Sequence, residues 1–514
     1  MKHVLIAYIL LLFTAANAQN TPKITKSSVF KDKYNESYIV HVKEDGTGGL
    51  YMLRMFKKGV LSAGSGYYLE HYDKNMNLIK DAEYAPEYNT HEKYKTLVGV
   101  FAVGNSLHLI DVQYNIKEKA YICNVHSADI NTMQFTHKEL LRFNREEADK
   151  LGTLKLSDLF YNSASVLDDS ATVAFITDDN NSAFAIAFNL KSDKAKILKL
   201  YSFDSSLTKK IEHTYKREVK SKDYRFKNID VANGGSSIYL LGAAHREEDK
   251  RKTFIYEITH IGIDNHETTG NFTSPNPFSE TLKMFMLNDK LVCAGFYSEP
   301  ESKWYNGVSY FEIDPKTLSM SNAVHTPFSE KMLADKNKKR WWEAKLYKPL
   351  LFKNIIVTPN NDIIINAEEY YSANVNNQET YNYDDIITAR ITSTGEALWI
   401  TDIRKSQYTF TPSDVSFLSY TPVFKNDIAY YFINTSENVK TTDEGAVEFK
   451  QSGKNKSDLT VVTIDAKGDM KYEKLLDNES NAVPFMTARG AVTSDGIYFL
   501  GRKGGDKQLL KIGL

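Results

Sequence analysis

A tight Asn/Asp/Gly turn recurs along the whole 514-residue chain, and its period limits the folds open to it. The turns are Tyr34-Asn35-Glu36, Gly104-Asn105-Ser106, Asp168-Asp169-Ser170, Gly234-Gly235-Ser236, Asn288-Asp289-Lys290, Asn360-Asn361-Asp362, Lys425-Asn426-Asp427 and Ser494-Asp495-Gly496. Their central residues stand 70, 64, 66, 54, 72, 65 and 69 apart. Eight copies at a period near 66 read as a repeat architecture, because unrelated strands have no reason to keep such spacing.

Apolar strands follow the turns, as in Leu107-His108-Leu109-Ile110, Ile238-Tyr239-Leu240-Leu241 and Ile497-Tyr498-Phe499-Leu500. A loop of variable length comes next, and then a second hairpin, such as Val308 to Ile313 or Leu459 to Ile464. Polar corners such as Asp314-Pro315-Lys316, Ser393-Thr394-Gly395 and Ala466-Lys467-Gly468 close these hairpins with ordinary turn chemistry. One repeat is therefore four antiparallel strands, A to D. A lone four-stranded sheet cannot bury both its faces, and radial stacking gives each sheet two neighbours. The expected fold is all-β: a single β-propeller of eight four-stranded blades over 19–514, with seven as the alternative because residues 26–84 are irregular. Closure is expected between the C-terminal strand at Leu509-Leu510-Lys511-Ile512 and an N-terminal segment around Ile24 to Val29. Two tandem β-sandwiches are the competing architecture; they do not call for so even a period.

Ile387 to Trp399 resembles the outer hairpin of bacterial propeller repeats of the quinoprotein-like kind, and Val461 to Leu475 is similar, with Tyr472 where a Trp would stand. The resemblance implies the radial fold. It does not extend to quinone-dependent activity, since the Trp recurs in no other repeat and no vicinal Cys pair is present.

In a propeller the A–B and C–D turns share one face, and the B–C and D–A connections share the other. The first set is short here. The B–C loops run from a brief Asp178–Ser182 to Ser298–Gly307, Tyr370–Asp385 and Asn434–Asp458, with long D–A connections at His137–Ser163, Phe203–Phe226 and Pro327–Leu350. Loops on a rigid scaffold are where binding concentrates. The candidate contact residues on that face are Trp304, Tyr305, Arg340, Trp341, Trp342, Tyr370, Tyr371, Tyr381 and Tyr383. Trp, Tyr and Arg are the residue types enriched at interface hot spots, and flat aromatic rings also stack on sugars.

Lys+Arg total 64 against 65 Asp+Glu, so no global charge favours nucleic acid. Residues 1–18 read as a secretory signal peptide: Lys2 and His3, an apolar run from Val4 to Phe13, and the small-x-small site Ala16-Asn17-Ala18. No later apolar run is long enough for a membrane helix, so the mature chain is expected in the periplasm or outside the cell. Cys123 and Cys293 lie in apolar strands and read as small buried hydrophobes.

Motifs for chemistry are absent. The 12 histidines form no HExxH or His-x-x-x-His pair, and Ser65 has Ala63 and Tyr67 where a nucleophile elbow needs glycines. Asp178-Asp179-Asn180-Asn181 reads as a polar loop rather than a calcium site. The expectation is a non-enzymatic, exported module with no catalytic residues, metal or cofactor. Its partner would be an envelope or extracellular protein, or else a polysaccharide. The alternative is a propeller-fold glycan hydrolase or lyase with its site at the central channel mouth.

Overall fold

Eight antiparallel sheets follow one another along the chain in the computed structural model. It describes residues 22–58, 65–87, 90–152, 154, 172–219, 224–245, 254–273, 281–298, 305–332, 350–436, 439–441, 447–452 and 457–514. Residues 1–18, expected to be a signal peptide, the expected Asp168–Ser170 turn, and Trp304, Arg340, Trp341 and Trp342 lie outside the described residues. Sheets 1 to 7 take residues 36–84, 92–144, 173–217, 224–273, 283–327, 350–403 and 420–476, each a four-strand meander A to D. Sheet 8 has strands Ala491–Thr493, Gly496–Lys503 and Asp506–Gly513, and its fourth strand is Lys23–Lys26 from the other end of the chain. Lys23 pairs with Gly513 and Lys26 with Leu510, antiparallel.

Strand alternation sends successive side chains to opposite neighbours, and this explains why the B and C strands are apolar at nearly every position. Ile363 and Ile365 pack in a cluster with Val292 and Phe296 of sheet 5, whereas Ile364 packs with Tyr431 and Val462 of sheet 7. In sheet 8, Ile497 and Phe499 meet Phe432 and Val461 of sheet 7, while Tyr498 and Leu500 meet Leu50 and Met52 of sheet 1. Each of the eight apolar clusters joins one sheet to the next, and the last joins sheet 8 back to sheet 1. Eight four-stranded sheets packed neighbour against neighbour in this way are the architecture of a β-propeller. Each fully buried Leu, Ile or Phe contributes about 1.5–3 kcal/mol, so the interfaces between blades hold the ring together. Cys123 and Cys293 are buried members of two such clusters and are not bridged.

The short turns share one face. Asn288-Asp289 and Asn426-Asp427 each have two consecutive positive φ values, the type I′ geometry that matches strand twist. Asp73, Asp129, Asp204, Asp314 and Asp465 each accept backbone N–H groups two or more residues ahead, closing the C–D corners as Asx turns. Turns of adjacent blades touch: Lys425 Nζ donates to Ser494 O at 2.8 Å, and Ser494 Oγ donates to Glu44 at 2.8 Å.

Several sequence assignments shift by one connection. The A–B turn of blade 1 is Asp45 to Gly49, closed by an Asp45 side chain that accepts from Thr47 N and Gly49 N, and Asn35 precedes strand A instead. Asp178 to Ser182 is the A–B turn of blade 3, not a B–C loop. Phe203 to Phe226 is mostly strand, since Lys209–Arg217 is the outer strand of blade 3. Residues 26–35 looked irregular because they serve blade 8 and the passage to blade 1. Arg54, 1% exposed, anchors that passage: Nη1 donates to Asp32 Oδ2 at 2.7 Å, and Nε donates to Glu70 Oε2 at 2.8 Å.

Candidate functional site

Among the described residues, the B–C/D–A rim carries its largest additions on blades 6 and 7. Strands Ile363–Val375 and Gln378–Ile391 run well past the blade as a long hairpin. Asn376 and Asn377 turn it with φ of 52° and 62°, again type I′. The span 370–385 is thus strand rather than loop, and its signal was legible: an Asn-Asn pair between Tyr- and Thr-bearing stretches. After strand D of blade 6, Lys405–Thr409 folds back and pairs antiparallel with Tyr381 to Tyr383. Val447–Ser452, from the long insertion of blade 7, then adds parallel to Lys405–Tyr408. Two excursions from adjacent blades therefore build one small sheet above the ring.

Four candidate residues lie on this hairpin. Tyr370 faces Tyr383 across the strands, with ring centroids 5.0 Å apart. Tyr381 shares their face by the two-residue period, and Tyr371 lies on the opposite one, paired with Asn382. All four are half-buried. Tyr381 Oη donates to Glu379 at 2.9 Å. Tyr305 sits elsewhere. It is 9% exposed and packs in the cluster between blades 5 and 6, edge-on to Phe296.

Beneath the hairpin lies a buried polar cluster that sequence reading did not single out. Glu368 and Lys405 form an ion pair of 2.5 Å with neither side chain exposed. Lys405 Nζ also donates to Tyr383 O and to Gln407 Oε1, both at 3.0 Å, and Ser419 Oγ donates to Glu368. Burial pushes the Tyr383 hydroxyl up, with the Glu368 charge adding to the effect. Lys353, on strand A of blade 6, has its ammonium pKa lowered. Burial is the main cause; Glu368 opposes the shift, and Lys405 and Arg489 add to it. The residues are far apart in sequence and carry no motif, so only the assembled ring brings them together.

The floor is tied by side chains. Asn434 Nδ2 donates to Phe417 O at 2.9 Å and to Phe485 O at 2.8 Å. Thr421 Oγ1 donates to Thr487 O at 2.6 Å. These bonds link the D–A connection 404–419 to the connection 477–490. Between them and strand A of blade 1 opens a pocket lined by Glu36, Tyr38, Ser413, Ser416, Met486, Arg489 and Arg502. Strand A is the innermost strand, so this pocket lies at the channel mouth.

Other titratable clusters serve packing. His126 is 1% exposed; its Nε2 is 2.7 Å from Asp111 and its Nδ1 is 2.8 Å from the Tyr84 hydroxyl. That chain joins blade 1 to blade 2 without access for a substrate. Among the described residues, no group of three His, Cys, Asp or Glu side chains is placed to hold a metal ion. No helix of the described residues is long and apolar enough to cross a membrane.

The fold and rim define a β-propeller with one elaborated face. No protein-family model matches the chain, and no curated protein matches it. Solved structures similar to it include the β-propeller domain of the Trilobed protease from Pyrococcus furiosus, at 10% identity and a TM-score of 0.34, covering 88% of this chain and 98% of that one. The polysaccharide lyase Uly1 is similar at 8% identity and a TM-score of 0.38, covering 95% and 100%. Pyrococcus horikoshii acylaminoacyl peptidase is similar at 8% identity and a TM-score of 0.34, covering 80% of this chain; the match spans 49% of the peptidase. Likeness at this level carries nothing about activity.

Proposed function

We propose that the protein is a non-catalytic binding or scaffold module that acts through the B–C/D–A face. On this reading it is exported after loss of residues 1–18 and works in the periplasm or outside the cell. The strand Lys23–Lys26 closes the ring. Its partner is an envelope or extracellular protein, with a polysaccharide next in order.

One observation carries the reading. Among the described residues, every A–B and C–D connection spans six residues or fewer, whereas the other rim bears the 363–391 hairpin and the excursion 436–457. Extra backbone ordered on one face costs about 1–2 kcal/mol of conformational entropy per residue. Binding to a partner is a function that would retain it. The half-buried Tyr371 and Tyr381 supply rigid aromatic surface there.

The test is recovery of partners from envelope extract. Wild type is compared with Tyr371→Ala/Tyr381→Ala and with Trp341→Ala/Trp342→Ala, each checked for native circular dichroism. The expected result is loss of a recovered partner in at least one pair. Identical recovery by all three proteins sinks the proposal.

A further inference from the structure

The buried cluster beneath the hairpin holds a primary amine, a carboxylate and a side-chain amide in direct contact. Lys405 Nζ lies 2.5 Å from Glu368 and donates to Gln407 Oε1 at 3.0 Å. A third bond, to Tyr383 O at 3.0 Å, fixes the nitrogen in place. The Gln407 amide is held at both ends: Nε2 donates to Asn434 O at 2.8 Å, and Oε1 accepts from Ser419 N at 2.8 Å. Ser419 reaches it from a left-handed backbone, at a φ of 68°, which a non-glycine residue adopts only at a cost. Ser419 Oγ in turn donates to Glu368. Lys405, Gln407, Glu368 and Ser419 are all buried. An ion pair needs only the first and third of these. It gives no reason for a strained residue to press an amide against the same nitrogen, and a buried pair by itself adds little stability.

We infer that Lys405 and Gln407 close an isopeptide bond in the folded chain, with Glu368 as the proton carrier. The two residues share one face of their strand by the two-residue period, so their side chains can meet. A C=O length of about 1.2 Å puts Nζ within about 4 Å of Gln407 Cδ. A small side-chain rotation brings it to the attack distance of about 3–3.5 Å. First, the proton between Nζ and Glu368 passes to the carboxylate, which leaves both groups neutral in a dry site. A turn about the Cε–Nζ bond aims the freed lone pair at Cδ. The new N–C bond forms as the carbonyl electrons move to Oε1, where the Ser419 N–H already points at the developing charge. Glu368 then hands its proton to Nε2, on the same tetrahedral carbon, and takes a second one from Nζ. The Cδ–Nε2 bond breaks and ammonia leaves. An ammonium, a carboxylate and a primary amide thus become a secondary amide, a carboxylic acid and ammonia, with atoms and charge conserved. Burial keeps water from competing for Cδ, and escape of ammonia makes the step one-way. The bond would clip the base of the Lys405–Thr409 strand, on which the small sheet above the ring is built.

The experiment is tryptic mapping by mass spectrometry of the full mature chain, purified folded and then denatured. Trypsin does not cut after an acylated lysine. The expected product is a peptide from Lys405 to Lys425, uncut at Lys405 and lighter than its sequence by one ammonia. Whole-chain mass does not decide, because an N-terminal Gln19 also loses ammonia on cyclising. Glu368→Gln, checked for native circular dichroism, should restore the cut and yield Ser406–Lys425 at full mass. Wild-type chain cut at Lys405, with Ser406–Lys425 at full mass, overturns the inference whatever the variant does. A bond that still forms in folded Glu368→Gln overturns the part given to Glu368. The mass of this peptide is indifferent to partners, so the inference and the binding reading stand or fall separately.

Discussion

Lys405 Nζ lies 2.5 Å from Glu368 Oε1, and neither side chain reaches solvent. Strand B of blade 6 supplies the carboxylate, and the connection toward blade 7 supplies the ammonium. Desolvation nearly cancels what a buried pair gains, yet breaking one is costly. Lys405→Met therefore should lower stability by about 3–5 kcal/mol, because it strands the Glu368 charge. The double variant Lys405→Met/Glu368→Leu should regain most of that loss. Urea unfolding of the three proteins checks it; a double variant as unstable as the single one refutes it.

Gly468 turns the outer hairpin of blade 7 at a φ of 87°, and a Cβ there would stand 2.8 Å from Trp399 Cβ of blade 6. Gly104 has a φ of 53° with open space around it. Gly104→Ala meets only the left-handed penalty of about 1 kcal/mol. Gly468→Ala meets that and an unyielding contact with a neighbouring blade, for about 2 kcal/mol or more in total. Denaturant midpoints of the two variants should fall in that order.

Two half-buried groups give stability opposite pH dependences. Burial lowers His41 from 6.5 to about 4, the Lys43 charge adding to it. Between those values the unfolded chain takes up a proton that the folded one refuses, so stability falls as pH drops through that window. Burial raises Asp230 from 3.8 to about 7, with Asp179 adding to it. There the unfolded chain gives up a proton that the folded one keeps, so stability falls as pH rises from 3.8 and levels off above 7. Asp230→Asn should gain on wild type from about pH 4.5 to about pH 8, by on the order of 2 kcal/mol. His41→Gln should flatten the acid limb. Urea midpoints across this range decide; a constant Asp230→Asn offset excludes the mechanism.

The fourth strand of blade 8 is only Lys23–Lys26, but Ile24 adds to the cluster of Phe499 and Ile512, and Leu509 N donates to Ser27 Oγ at 2.9 Å. Deleting residues 19–26 strips the partner from Leu510 to Gly513 while Phe30 and Lys31 still pair with Lys507 and Asp506, and the half-bare edge is a template for pairing with another chain. The shortened protein should melt at a lower temperature and form larger species at high concentration, read by light scattering. A deletion that remains monomeric with an unchanged midpoint shows that the strand is dispensable.

The repeat was legible because type I′ and Asx turns need Asn, Asp or Gly at fixed offsets, and Asn288-Asp289 and Asn426-Asp427 announce themselves. Asn35 has the same chemistry and no hairpin, while Asp178 caps a true A–B turn that looked like a loop. Turn chemistry reports a local bend and is silent on which strands it joins. The Tyr370–Tyr383 hairpin could be read from Asn376-Asn377; its alliance with Lys405–Thr409 and Val447–Ser452 could not, since pairings across connections leave no local pattern.

Sequence alone determined the four-strand unit and pointed to eight blades with seven as the alternative, because backbone turns and period-two burial act over a few residues. Tertiary structure alone decided which charges meet. Glu368, Lys405, Lys353 and Arg489 come from chain segments up to 136 positions apart, and an ion pair or an unpaired cation depends on distance and dielectric, which exist only once the ring is packed.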